Sequence, residues 1–249
     1  MKGTIVTGAN GFIGSSLIKI LINKGVKVLA VDMSFALPRL PESGFITKIE
    51  SGVDATLADK IPVGEYDAFY HLAWRGVNGA EKADPTVQLV NIQMAVYCAN
   101  VCKQMGVKKL LCAGTVAENA TYSLPDLEKT SGGMMYGVAK HACRLIVEDY
   151  CKNIGLPFVW MQFSNIYGIG NKTGNLVSYT LSELMAGKEA TFGPALQPYD
   201  FIYVDDLIEA VYRLGVNDTK KSFYYIGSGN PRILKDYLLR IGELAGFAD

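Results

Sequence analysis

The sequence predicts an α/β fold, a doubly wound parallel sheet with helices on both faces and a small, reduced C-terminal lobe. Three observations lead there. Short β-branched runs alternate with longer stretches of helical periodicity as far as residue 165. The first such run enters a glycine-rich turn, Gly8-Ala9-Asn10-Gly11-Phe12-Ile13-Gly14, which opens a helix. The chain has 249 residues, 49% hydrophobic, with a mean hydropathy of +0.17, enough to bury one sizeable core.

In chain order, Gly3-Thr4-Ile5-Val6-Thr7 reads as the first strand and Phe12 to Asn23 as the first helix. Lys27-Val28-Leu29-Ala30-Val31-Asp32 is the second strand, and Tyr66 to Leu72 a further one. Helical periodicity returns at 85–105, followed by a strand at Lys109 to Ala113. A second long helix is expected at 133–153 and a strand at Phe158 to Gln162. Beyond residue 165 the pattern loosens, punctuated by Gly168, Gly170, Gly174, Gly193, Pro194, Pro198 and Pro231. Residues 1–165 are therefore expected to bind a dinucleotide. Residues 166–249 are expected to form mainly the substrate lobe, with loops, two or three helices and a short strand near Phe223–Ile226; its late elements are free to rejoin the sheet. Asp205 and Asp206 open a helix, where at least one is expected as an N-cap.

Composition narrows the function classes. Lys plus Arg and Asp plus Glu each total 24, so the net charge is zero, and no basic run offers a footprint for nucleic acid. No apolar run reaches the roughly 18 residues of a membrane span, and the N-terminus enters a strand directly, without a signal-peptide pattern. Five cysteines without paired spacing, and two histidines, give no metal-ligand set. A soluble, reduced, cytoplasmic protein without a metal centre is expected.

The turn at residues 8–14 has G-x-x-G-x-x-G spacing. Gly8 permits the tight turn, Gly11 lets backbone approach a pyrophosphate, and Gly14 lets helix and strand pack closely. The helix N-terminus supplies free N–H groups and positive dipole. The second strand ends in Asp32, whose carboxylate suits adenosine ribose hydroxyls and repels a 2′-phosphate. Met33 and Ser34 follow it, with no adjacent arginine, so NAD is expected rather than NADP.

Tyr136-Gly137-Val138-Ala139-Lys140 places a phenol and an ammonium on one helix face. The ammonium, aided by cofactor ribose and nicotinamide charge, is expected to lower the phenol pKa for acid/base work. Thr115, just after the preceding strand, completes the set by hydrogen-bonding the reacting oxygen.

These residues make the chain resemble the extended short-chain dehydrogenase/reductases, specifically the NAD-dependent epimerase/dehydratase group acting on nucleotide sugars, built on a Rossmann-type sheet. The resemblance runs from residue 3 to about 230 and rests on G-A-N-G-F-I-G, Asp32, Asp54, His71-Leu72-Ala73, Asn91, Thr115, Tyr136 with Lys140, Phe163-Ser164-Asn165-Ile166-Tyr167-Gly168 and Asp200-Phe201-Ile202-Tyr203-Val204-Asp205-Asp206. It implies Thr115, Tyr136 and Lys140 as catalytic residues. It implies a NAD site made of Gly8, Asn10, Gly11, Phe12, Ile13, Gly14, Asp32, Met33, Asp54, Ala55, Leu72, Ala73, Trp74, Asn91, Ala113 and Phe163, joined by Tyr136 and Lys140. Asp54 either caps the adenine amino group or only its own short helix. Trp74 and Arg75 either touch substrate or pack as a lid, and Asn165 lies between nicotinamide and sugar. His71 is expected to be packed or hydrogen-bonded, and His141 to point away from the active face. A nucleotide-diphosphate sugar is the implied substrate, with Lys172, Lys188 and Arg232 as candidate diphosphate ligands. The resemblance also implies a homodimer through the helices at 85–105 and 133–153.

Departures from the family pattern choose among its reactions. Val116 and Ala117 follow Thr115 where the dehydratase branch has an acid and a base, so dehydration is disfavoured. Cys112 and Cys143 are not placed for epimerisation at C3 and C5. Tyr199 stands where an arginine often holds a phosphate. A C4 epimerase using NAD is expected first; the alternatives are a 4-keto-sugar reductase and a non-catalytic NAD-binding paralogue.

Overall fold

The computed structural model describes residues 1–171 and 175–247. Strand β1 (Gly3–Thr7) is buried along its whole length, as a strand covered on both faces must be. After the glycine turn, α1 (Phe12–Asn23) lays Leu17, Ile18 and Leu21 against the sheet. There follow β2 (Lys27–Asp32), β3 (Ile46–Glu50), α2 (Leu57–Lys60) and β4 (Ala68–His71). Helix α3 (Pro85–Met105) starts where the Asp84 carboxylate accepts the Thr86 and Val87 N–H groups, with proline next in line. It stops at Gly106, in the left-handed region at φ 65°. Then come β5 (Leu110–Thr115), a long 3₁₀ turn (Val116–Asp126), α4 (Met134–Asn153) and β6 (Phe158–Phe163).

All these strands pair in parallel, in the order β3-β2-β1-β4-β5-β6. Strand order reverses between β1 and β4, which opens a crevice at their C-terminal ends. The expected strands and long helices form at or within two or three residues of the expected positions. The strand β3 is an addition. Its half-exposed alternation of isoleucine with Thr47, Lys48 and Glu50 suits a sheet edge.

The remaining chain comprises β7 (Asn165–Tyr167), α5 (Leu176–Met185), β8 (Pro198–Tyr199), β9 (Phe201–Tyr203), α6 (Val204–Val216), β10 (Phe223–Ile226), β11 (Arg232–Ile233) and α7 (Leu234–Leu244). Helix α6 packs Leu207, Ile208 and Val211 into the core shared with α1, and that return carries β10 alongside β6 as the seventh parallel strand. The Phe223–Ile226 strand thus belongs to the main sheet. Neither Asp205 nor Asp206 is the N-cap of α6: Tyr203 holds that position without a side-chain bond, and both carboxylates lie in the first turn, where the helix dipole favours them. The small lobe keeps its own minor core of Ala195, Phe201 and Leu234.

Two larger cores flank the sheet. One gathers Phe69, Cys98, Cys112, Val147 and Trp160 under α3 and α4; the other gathers Val6, Leu17, Tyr70, Leu111 and Val211 under α1 and α6.

Candidate active site

The crevice divides into two clefts that share the glycine turn. Gly8 sits at φ +69°, and a Cβ there would lie 2.7 Å from the Ala73 nitrogen. A Cβ on Gly14 would lie 2.1 Å from the Gly8 carbonyl, so only glycine lets α1 start this close to the strand. No side chain caps α1, and no acidic residue occupies its first turn. The N–H groups of the Phe12–Ile13 turn therefore face an anion site. Asn10 donates its side-chain N–H to the Ser34 carbonyl (3.0 Å), while its buried Oδ1 has no partner within the protein. Asp32 accepts the Asn10 backbone N–H (2.8 Å) and lines the first cleft. An open helix N-terminus, a carboxylate at the strand end and an orphaned amide oxygen fit a dinucleotide.

That first cleft, about 400 Å³, also takes in Met33, Asp54, Ala73, Trp74 and Arg75. The Asp54 carboxylate accepts the Thr56 backbone N–H (2.8 Å) and hydroxyl (2.6 Å), and the Thr56 hydroxyl chiefly holds its pKa below the ordinary value. Asp54 thus shapes the turn before α2 and faces the cleft at once. Ala55, exposed before α2, and Phe163, buried at the end of β6, lie outside both linings, as do Asn10, Asn91, Ala113, Thr115, Tyr136 and Lys140.

Two buried amides on α3 hold the segment after β4. Asn91 clamps the Arg75 backbone from both sides, accepting its N–H and donating to its carbonyl, each at 2.8 Å. Gln88, one turn earlier, accepts the Trp74 indole N–H (2.9 Å) and donates to the Gly76 and Glu81 carbonyls (3.1 Å each). Nothing in the sequence pattern singles out Gln88 beyond its helical spacing from Asn91. Arg75 is exposed and pairs with Glu81 at 3.6 Å.

Trp74, so held, separates the clefts from the Tyr136–Lys140 face of α4. Its ring lies 3.7 Å from the Lys140 ammonium and edge-on to Tyr136 at 6.2 Å. Lys140 donates to the Ala113 carbonyl (2.7 Å) and is buried, which lowers its pKa to about 8. Tyr136 hydrogen-bonds the Thr115 side chain, yet burial raises its phenol to about 12. The chain alone therefore does not supply the expected lowering of the phenol pKa. The ammonium is directed at a carbonyl and an indole rather than at the phenol.

Below this trio lies Glu118, 2% exposed, with its pKa raised by burial. It accepts the Thr115 backbone N–H (2.7 Å) and the Trp160 indole N–H at both oxygens (3.1 Å each). An acidic group does follow Thr115, one residue beyond Val116 and Ala117, but it faces the interior. His71 is buried, with Nδ1 2.8 Å from the Thr7 hydroxyl, and burial lowers its pKa to about 3, so it stays neutral. His141 lies against Thr121 (2.7 Å) and Tyr122, beneath the 3₁₀ turn.

The second cleft, about 460 Å³, runs from the glycine turn and Leu72 past Trp74 to Asn165, Asn175 and Tyr199. Among the described residues, those lining it carry no charge. Asn165 donates to the Asp200 carbonyl (3.1 Å). Lys188, after α5, and Arg232, on β11 beside Tyr199, are exposed and line neither cleft. Lys172 lies outside the described residues.

A parallel sheet with a glycine turn and Asp32 at its switch point has the architecture of a dinucleotide-binding enzyme. The chain belongs to the NAD-dependent epimerase/dehydratase family, which matches residues 4–227, and its cofactor is NAD. It is 26% identical over 245 residues to a dTDP-6-deoxy-L-talose 4-dehydrogenase (NAD(+)) of Aggregatibacter actinomycetemcomitans, covering 93% of this chain and 86% of that protein. It is 26% identical to a UDP-glucose 4-epimerase of Mycolicibacterium smegmatis, covering 99% and 83% respectively. A UDP-glucose 4-epimerase of Thermotoga maritima, solved with UDP-glucose, shares the fold at a TM-score of 0.82 and 21% identity, covering 99% of this chain and 84% of that one. Among the described residues no helix is long and apolar enough to cross a membrane.

Proposed function

We propose that the chain is a cytoplasmic nucleotide-sugar 4-epimerase that oxidises a sugar C4 hydroxyl and reduces the resulting ketone from its other face. The observation that carries this reading is the hydrogen-bonded Thr115–Tyr136 pair, whose phenol ring meets Trp74, a residue that itself lines the uncharged cleft. One phenol suffices for reversible alcohol–ketone chemistry, whereas removal of water needs a further acid and base facing the substrate. The relatives named for chemistry at C4 support the same position on the sugar.

The glycine turn from Gly8 to Gly14 and Asp32 would hold NAD, which would supply the reversible hydride acceptance. Tyr136 takes the C4 hydroxyl proton and gives it back, Thr115 orients the reacting oxygen, and Lys140 supplies positive charge beside them. A nicotinamide charge and a substrate hydrogen bond would favour the phenolate and so oppose the raised value that the chain alone gives Tyr136. The uncharged, amide-lined cleft leaves the keto-sugar free to turn over; of the candidate diphosphate ligands Lys172, Lys188 and Arg232, the proposal favours Arg232, which pairs with the cleft-lining Tyr199. Exposed Leu89 and Val90 on α3, with Leu145 and Ile146 on α4, form the proposed homodimer face.

A 4-keto-sugar reductase would use the same residues, and the similarity to a 4-dehydrogenase favours it as the second reading. A panel of UDP- and dTDP-hexoses with catalytic NAD and no reductant, run beside a panel of 4-keto sugars supplied with NADH, separates them. Interconversion of C4 epimers without net NADH change is expected; stoichiometric NADH consumption on 4-keto sugars would instead establish the reductase.

A further inference from the structure

We propose that Glu118 is the buried counter-charge and positioning residue of this site, holding Lys140 in place as an ammonium and fixing the Thr115 backbone. This rests on the catalytic reading of Thr115, Tyr136 and Lys140.

The packing around Glu118 is tight at two glycines. A Cβ on Gly114 would lie 2.2 Å from the Trp160 indole nitrogen and 2.7 Å from Glu118 Oε1. A Cβ on Gly137 would lie 2.4 Å from the Ala117 carbonyl, so α4 presses directly on the turn that carries Glu118. Trp160 is shared: its N–H donates to Glu118, and its ring centroid is 5.9 Å from the Lys140 ammonium. The Lys140 ammonium meets one neutral carbonyl and two indole faces, none of which balances a buried charge.

The groups facing it are few. β4 presents His71, held neutral; β5 presents Cys112 and α4 presents Cys143, whose thiols burial keeps protonated; Tyr136 and Arg144 on α4 face Glu118 instead. Glu118 is the carboxylate among them. Against the burial that lowers the Lys140 pKa, Cys143 and then Glu118 raise it. Against the burial that raises the Glu118 pKa, the Thr115 N–H and then the Lys140 ammonium lower it. Beside the catalytic set, it is a carboxylate that never needs to touch substrate.

The test compares Glu118→Gln and Glu118→Asp with the wild type across pH. Glu118→Gln is expected to move the alkaline limb of kcat/KM down by about one pH unit and to lower kcat roughly tenfold, with NAD affinity changed by less than about threefold. Glu118→Asp, which keeps the charge, is expected to return the limb to its wild-type position. A merely structural residue would lower activity in both variants and leave the limb in place, which would overturn the proposal. The reciprocal measurement needs neither a folded Glu118 variant nor a known substrate. In Lys140→Met, infrared difference spectroscopy at pH 7 is expected to show one protonated buried carboxyl that is absent from wild type and from Lys140→Arg. No such band in Lys140→Met would overturn the counter-charge role, whatever reaction the enzyme catalyses.

Discussion

At the phosphate-loop end, the crevice is built from backbone: three glycines, the open N-terminus of α1 and one carboxylate that accepts the Asn10 N–H. At the catalytic end it is built from ionisable side chains, the buried Lys140, Glu118 and His71 and the half-buried Tyr136, each moved from its ordinary pKa chiefly by desolvation. The first end recognises a nucleotide by shape and dipole, with little electrostatic cost to folding. The second holds charge where solvent cannot reach it, so chemistry and stability pull against each other there. Substitutions at the two ends should therefore fail differently, one in binding and the other in turnover or pH response.

The largest contrast is expected from Tyr136→Phe. Removing the acid/base group should cut kcat by roughly 10²–10⁴ with NAD affinity nearly intact, as steady-state kinetics and calorimetric titration would show. Near-wild-type turnover would remove Tyr136 from the mechanism.

At the other end, Gly14→Ala drives a methyl group into the Gly8 carbonyl, so the turn must open. NAD binding is expected to weaken about 10–100-fold, some 1.4–2.7 kcal/mol. Unchanged affinity would mean that the turn yields without disturbing the pyrophosphate site.

A smaller, pH-dependent effect belongs to the catalytic end. The folded chain holds His71 neutral, with its pKa near 3, while the unfolded chain protonates it below its ordinary 6.5. Protons then bind preferentially to the unfolded state, so stability is lost as pH falls from 6.5 toward 3. Between pH 7 and 5 this costs about 2 kcal/mol. Urea unfolding of wild type and His71→Gln should show the variant with a flatter acid limb; parallel limbs would remove His71 as the cause.

The smallest effect is expected at Asp32, which sets preference rather than binding. Asp32→Ala should narrow the ratio of NAD to NADP affinity by about tenfold, roughly 1.4 kcal/mol, read by titration with both dinucleotides. An unchanged ratio would place the discrimination elsewhere.

What the sequence disclosed follows the same division. Gly8 to Gly14, Asp32 and the Tyr136–Lys140 spacing are local patterns, and a local pattern survives in one dimension. Gln88 and Glu118 act through partners 14 and 42 residues away, Trp74 and Trp160, which no spacing rule connects. The direction of Lys140 was hidden for the same reason: its helical face is legible, but the carbonyl and indole that capture it come from β5 and from the segment after β4. Strand β10 carries a plain β signal, but its place beside β6 depends on how α6 packs. Charge alone does not position Lys188 and Arg232, which are exposed and line neither cleft, although Arg232 pairs with the cleft-lining Tyr199.

Hydride transfer at C4 with return to the same carbon is tested most directly by isotope. A UDP- or dTDP-hexose carrying deuterium at C4 would be incubated with the enzyme and catalytic NAD, then its products resolved by mass spectrometry and NMR. The expected product is the C4 epimer with deuterium still at C4 and no net change in NADH. Loss of the deuterium to solvent, or its accumulation in reduced cofactor with release of a 4-keto sugar, would contradict the epimerase.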